Sequence, residues 1–238
     1  MAMLTITATN FGVDPAEIQI KEFHTENMLI LDGEFEVNTT AEEYAGIRPM
    51  KLTVADLPFA KSRVSTAIVM TESDGVKYCT LTKVKITDRN TIVIDKVVAY
   101  KDLGTYTVKL STVLIPTMIT GEVALNSADT YEPVVLSGGA TGLEVKAVET
   151  ANWLMLLVKA ATLTFSESEE EVEIMLPNFP SDIESSLPII YTENLWSTMG
   201  SKYYPAQLRN GKLFISKDGA AAEPSGTGSK FCRLLIVK

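Results

Sequence analysis

The chain has little of what metal and nucleic-acid chemistry require. It holds two cysteines, Cys79 and Cys232, and a single histidine, His24, so the usual thiolate and imidazole ligands of a structural zinc site cannot be assembled, and no metal is expected. Lysine and arginine number 21 against 30 acidic residues, for a net charge of -9. A phosphate backbone is a poor partner for such a surface, because affinity for it comes from basic side chains displacing counterions. No basic leader precedes an apolar stretch, and no run of about 18 apolar residues could cross a bilayer. The expectation is synthesis and retention in the cytosol, with no membrane insertion. The two cysteines fall at points of the chain that do not correspond in the repeat described next. Both read as buried small apolar side chains, although one disulfide between them stays open.

Also missing are a G-x-S-x-G turn, a phosphate-cradling glycine loop, an H-E-x-x-H helix and a dinucleotide fingerprint. A carboxylate pair for glycoside hydrolysis is left open, since its distance in space is not written in the sequence. The expectation is a protein without catalytic residues and without a cofactor.

What is present is repetition. The stretch IQIKEFHTENMLIL (Ile18 to Leu31) is echoed without a gap by LEVKAVETANWLML (Leu143 to Leu156). Lys21/Lys146, Thr25/Thr150, Asn27/Asn152, Leu29/Leu154 and Leu31/Leu156 are identical pairs. LTVADLPF (Leu52 to Phe59) is answered by VEIMLPNF (Val172 to Phe179), and AIVMTE (Ala67 to Glu72) by PIIYTE (Pro188 to Glu193). GVKY (Gly75 to Tyr78) recurs as GSKY (Gly200 to Tyr203), RNTIVI (Arg89 to Ile94) as RNGKLFI (Arg209 to Ile215), and GTYTVKL (Gly104 to Leu110) resembles GSKFCRLL (Gly228 to Leu235). Chance similarities would not keep one order at nearly constant separation, so the chain reads as a tandem duplication of a unit of about 100 residues. The joint is placed near Thr117 to Gly121, giving domains at 1–118 and 119–238. Ser137-Gly138-Gly139 then becomes a loop inside the second domain, and Lys217 to Lys230 a second, mobile loop.

The apolar period is that of strands. Tyr106, Val108 and Leu110 alternate with Thr107, Lys109 and Ser111, and KVKITDRNTIVIDKVV alternates on both sides of TDRN. Asp32-Gly33 and Asn210-Gly211 are the residue pairs that take the positive φ of tight hairpins, and both are expected to be turns. Short helical turns are expected only at Thr40 to Gly46 and at Pro180 to Ser186. The predicted fold is all-β, two tandem duplicated antiparallel β-sandwich domains, Ig-like or jelly-roll-like, of seven or eight strands each.

A feature shared by both units belongs to the scaffold, whereas one confined to a single unit is a candidate for specialisation. Tyr78 and Tyr203 occupy matching GxKY positions and read as core or hairpin aromatics. NLWSTMGSKYY (Asn194 to Tyr204) carries about four residues with no counterpart, including Trp196. Trp196, Tyr203 and Tyr204 are therefore the candidate ligand-binding residues, since such aromatics stack on a sugar ring or anchor a partner. The alternative is that Trp196 plugs the end of its own domain. His24, matched by Glu149 and lacking a placed nucleophile, reads as a strand residue rather than a general base. The acidic run ESEEEVE (Glu167 to Glu173) lacks the spacing of a calcium loop and reads as the solvated start of a strand whose charge discourages pairing with another chain.

An acidic, all-β chain built by duplication, with aromatic and mobile loops, resembles the virion proteins of tailed bacteriophages, among them tail, baseplate, fibre and capsid-decoration proteins. The resemblance lies in overall style and carries no site residues over. It implies synthesis in the host cytoplasm, location in the virion, and packing against other virion subunits, with a symmetric homo-oligomer expected. The rival reading is a carbohydrate- or cell-surface-binding module with the Trp196 loop as its platform; a carbohydrate-active enzyme is the third.

Overall fold

The computed structural model describes residues 2–39, 49–73, 76–97, 104–119, 129–160, 162–164, 170–191, 202–216 and 230–237. The fold is all-β, and no α-helix occurs among the described residues. In the first half the strands are β1 (Ala2–Met3), β2 (Ile6–Thr9), β3 (Ile20–Thr25), β4 (Met28–Asn38), β5 (Met50–Val54), β6 (Ser65–Ser73), β7 (Val76–Asp88), β8 (Thr91–Ile94) and β9 (Thr105–Leu114). The second half contributes β10 (Asp129–Tyr131), β11 (Val134–Ser137), β12 (Gly139–Thr141), β13 (Glu144–Glu149), β14 (Trp153–Ala160), β15 (Thr162–Thr164), β16 (Glu171–Met175), β17 (Ser185–Tyr191), β18 (Lys202–Arg209), β19 (Lys212–Ser216) and β20 (Lys230–Val237).

These strands form two nine-stranded sheets, in the orders β1-β3-β4-β9-β6-β7-β8-β5-β2 and β10-β13-β14-β20-β17-β18-β19-β16-β11. Position by position the two orders are the same. A small β12-β15 pair accompanies the second. The ladders agree as well as the orders. His24 faces Leu29 as Glu149 faces Leu154, and Phe23 faces Ile30 as Val148 faces Met155. The turn between each pair of strands is held in the same way, with the Thr25 hydroxyl accepting from Asn27 N–H at 3.3 Å and the Thr150 hydroxyl from Asn152 N–H at 3.3 Å.

Nine strands stand where seven or eight were expected because the opening strand of each half is split between two neighbours. β1 pairs with β3 and β2 with β5, at opposite ends of one sheet, and only Leu4 and Thr5 lie between them. Leu4 N–H donates to Ile20 C=O at 2.8 Å, and Thr5 C=O accepts from Ala55 N–H at 3.1 Å. Two residues span well under ~10 Å, so the ends of the sheet must curl together and the hydrogen-bonding passes across the seam. β10 and β11 do the same for the second sheet, with Glu132 and Pro133 between them.

Each curled sheet encloses its own apolar cluster. Ile20, Leu29, Leu31, Val37, Leu52, Ile92, Val108 and Leu110 belong to the first, and Val145, Leu154, Leu156, Val172, Ile174, Leu213 and Ile215 to the second. The alternation read in Tyr106, Val108 and Leu110 is correct, and these side chains face the first core. A third cluster lies between the sheets, on their outer faces: Ile30, Val148 and Trp153, with Phe23, Met28, Val113 and Met155 packed against them.

The Asn210-Gly211 hairpin is present, with φ of 52° and 70°, joining β18 to β19. Asp32-Gly33 is not a turn, contrary to expectation. Both residues lie inside the eleven-residue β4, and the hairpin falls between Thr25 and Met28. Gly33 serves close approach instead. A Cβ there would stand 2.6 Å from the Gln19 carbonyl oxygen and 2.9 Å from Ile20 Cα, so a glycine is required where the chain entering β3 crosses the strand. Pro180 to Ser186 contains a turn followed by the start of β17, and the 3₁₀ turn of the first half is at Pro15–Glu17, capped by the Asp14 carboxylate, which accepts from Ala16 N–H at 2.9 Å. The Thr40 to Gly46 turn and the loop at 217–229 lie outside the described residues.

Two repeat matches shift when the ladders are compared. Leu52 faces Ile92 as Ile174 faces Leu213, so Leu52 corresponds to Ile174 rather than Val172. A slip of two keeps the same face inward, which is why the letters still matched. Tyr203 faces Ile190, whereas Tyr78 faces Thr71. Ile190 holds the place of Ile68, whose partner is Leu81. Tyr203 is thus the counterpart of Leu81, not of Tyr78.

Candidate functional site

Of the three aromatic candidates, Trp196 lies outside the described residues. Tyr203 and Tyr204 are successive positions of β18, opposite Ile190 and Ile189. Along that strand Ala206 and Leu208 are buried in the core while Gln207 and Arg209 face outwards. Tyr203 holds the register of the outer pair and Tyr204 that of the inner pair, and positions of opposite parity belong to opposite faces of a sheet.

The outer face that β18 shares with β19, β16 and β11 carries an array of paired polar side chains among the described residues. The Asn210-Gly211 turn fixes its register, setting Arg209 opposite Lys212 and Gln207 opposite Phe214. Arg209 lies over the Phe214 ring, its guanidinium carbon 4.0 Å from the centroid, within range of a cation–π contact. The same guanidinium approaches Glu171 at 3.6 Å and donates to Gln207 Oε1 at 2.6 Å. Lys212 Nζ donates to Glu173 Oε1 at 2.6 Å, and Ser216 Oγ donates to Glu171 Oε1 at 3.1 Å. Beside this array, on β11, Val134 and Leu136 are 44% and 47% exposed, next to half-buried Met175.

Cations and carboxylates here neutralise each other in pairs, and the ring face of Phe214 is occupied by Arg209. The surface is a mixture of aliphatic and paired-charge groups. In the first sheet Val93 occupies the place of Phe214 and is buried, with Lys85 and Asp95 paired at 3.9 Å nearby.

The acidic run contributes to this array. β16 begins at Glu171, and Glu171 and Glu173 are both engaged, while 165–169 lie outside the described residues. Among the described residues no group of three His, Cys, Asp or Glu side chains is placed to hold a metal ion. His24 is a strand residue, half exposed, with Nδ1 3.6 Å from the Glu22 carboxylate. Cys79 stands on β7 opposite Met70 and Cys232 on β20 opposite Val158, in different sheets.

The residues that sequence reasoning missed are those of the cluster between the sheets. A signal for them was there. Met28-Leu29-Ile30-Leu31 and Trp153-Leu154-Met155-Leu156 are continuous apolar runs at matching places, where a strand covered on one face would alternate. Ile30 is fully buried and Trp153 is 4% exposed, as a strand covered on both faces requires.

Compared with protein-family models, with curated proteins and with solved structures, the chain matches none.

Proposed function

We propose that the chain is a tandem duplication of one β-sandwich unit, with domains at 1–118 and 119–238, and that it acts as a non-catalytic structural or assembly protein of a bacteriophage virion. The observation that supports the reading best is the repeated strand order, with a separate core in each half and the halves packed through apolar outer faces. This is the construction of a building block, in which bulk and surface rather than a cleft do the work. The virion setting rests on the resemblance in style alone.

The face bearing Val134, Leu136 and Met175 is the surface assigned to a neighbouring copy in a symmetric assembly. Exposed aliphatic side chains grouped beside paired charges suit an apolar contact with a polar rim. The test is solution mass across a concentration series, with negative-stain imaging of the assembled fraction. A defined oligomer that Leu136→Lys dissociates without unfolding is the expected result. A monomer at all concentrations that instead binds glycans on an array would overturn the reading in favour of a carbohydrate-binding module.

A further inference from the structure

The cluster between the sheets is made of counterparts. Phe23 pairs with Ile30 across β3 and β4, and Val148 with Met155 across β13 and β14; Met28 and Trp153 each open the strand that follows the shared threonine turn. Phe23, Met28 and Ile30 thus meet Val148, Trp153 and Met155, the same three positions of the other half. Val113, the ladder partner of Ile30 on β9, joins them. At the level of strands the pattern repeats: β9 approaches β20 and β7 approaches β18, each strand meeting the one that holds its own place in the other sheet. β20 also approaches β3 and β4, so the correspondence is approximate.

A patch that meets a different patch gives a head-to-tail contact, whereas a patch that meets its own counterpart gives an isologous contact, the kind found in twofold dimers. We infer that the two halves are related by a pseudo-twofold axis through this cluster, so that the chain is a homodimer-like pair joined by a linker, with each half the occupant of the other's outer face. This inference rests on the duplication reading proposed above. Two consequences follow from the symmetry. The connection between Ile119 and Asp129 is not needed to hold the halves together, and a charge placed at either of two counterpart positions has the same effect.

The test is made on the full chain carrying a protease site between Ile119 and Asp129, cut after folding and analysed by native mass spectrometry and gel filtration at micromolar concentration. The cut halves are expected to travel together at the mass of the intact chain. Ile30→Lys and Met155→Lys are each expected to reduce the paired fraction by on the order of tenfold or more, because a cation would be buried without a partner. Leu157→Lys, on the same outer face of β14 but 40% exposed, is expected to leave the pair intact. Separation of the unmutated halves would overturn the inference, as would persistence of the pair in a folded Ile30→Lys protein. If Ile30→Lys does not fold, the unmutated cut chain still decides. Halves that fail to superimpose in an experimental structure would sink the duplication while leaving the cleavage result standing, so the two failures can be told apart.

Discussion

The first and second halves solve one packing problem with different residues. At the third inward position of the strand after the threonine turn, the first half has Gly33 opposite Ile20 and the second has Val158 opposite Val145. β3 begins at Ile20, whereas the ladder of β13 and β14 continues one pair further, to Glu144 and Lys159. Where the incoming chain crosses tightly the Cβ is excluded, and where pairing runs on there is room for a branched side chain. The outer faces diverge more. Val93 is buried where Phe214 is half-buried under Arg209, and partly covered Asp32 stands where Leu157 is exposed. Inward positions match because each faces a core it must fill, while outward positions differ with what lies against them.

The largest effects should come from the two cores. Leu31→Ala and Leu156→Ala each empty a fully buried counterpart position and should each cost about 2–5 kcal/mol. Hydrogen exchange should locate each loss in its own half; equal loosening of both halves by either change would break the comparison. Next comes the exchange of the Gly33 and Val158 types. Gly33→Val drives a side chain into the Gln19 carbonyl and should lower stability by about 1–3 kcal/mol in urea unfolding. Val158→Gly removes a buried side chain and should cost about as much, through lost burial and backbone freedom. A neutral Gly33→Val would show that the close approach can relax.

A smaller difference separates the two turns. Thr150 Oγ1 accepts from both Asn152 and Trp153 N–H, at 3.3 and 3.2 Å, where the Thr25 hydroxyl accepts from Asn27 N–H. Thr150 Oγ1 also donates to Trp153 C=O at 3.4 Å, so Thr150→Ala should cost more than Thr25→Ala, by about 0.5–1.5 kcal/mol for each of the two additional hydrogen bonds; chemical denaturation of the two variants side by side measures it. The smallest effect is electrostatic. The Asn90 backbone N–H, then the Thr91 side chain, hold the Asp88 carboxyl below its ordinary range. A carboxylate lowered on folding stabilises the protein above its unfolded pKa, and that contribution is lost as pH falls through the lowered folded value. Asp88→Asn should lower stability slightly at neutral pH, leave it unchanged at pH below the lowered folded value, and so flatten the acid end of the profile. The second half has Gly211 in a positive-φ turn rather than an aspartate-held one, so no matching effect is expected there.

Much of this was legible in the sequence and some was not, for identifiable reasons. The Ile18 to Leu31 repeat was read in the register that the ladders show because the same turn, Thr-x-Asn, stands in both halves without a gap. Asn210-Gly211 was legible because its neighbours alternate and its φ angles need that pair. Asp32-Gly33 carries similar letters, but local chemistry does not distinguish a turn from a strand glycine made necessary by a distant backbone. That Tyr203 matches Leu81 was hidden because loops of unequal length shift the register between copies. The surface beneath Arg209 was also illegible, since Glu171, Gln207, Arg209 and Phe214 meet only through a ladder that joins separated segments. The outer cluster at Ile30 and Trp153 could have been found, had the unbroken apolar runs been weighed against strict alternation.

The seam at Leu4 and Thr5 has a consequence for the order of events during synthesis. Residues 2–9 are made before both of the strands they must lie between, β3 and β5, and β5 ends at Val54. The N-terminal segment therefore waits, unpaired on one side, until its second neighbour has been made, and β4 waits longer still for β9. Pairings so far apart along the chain close slowly, in the range of milliseconds to seconds. The first half should consequently reach its native form late in its own translation, and deleting residues 2–5 should slow the closing step before it alters any other part of the finished protein.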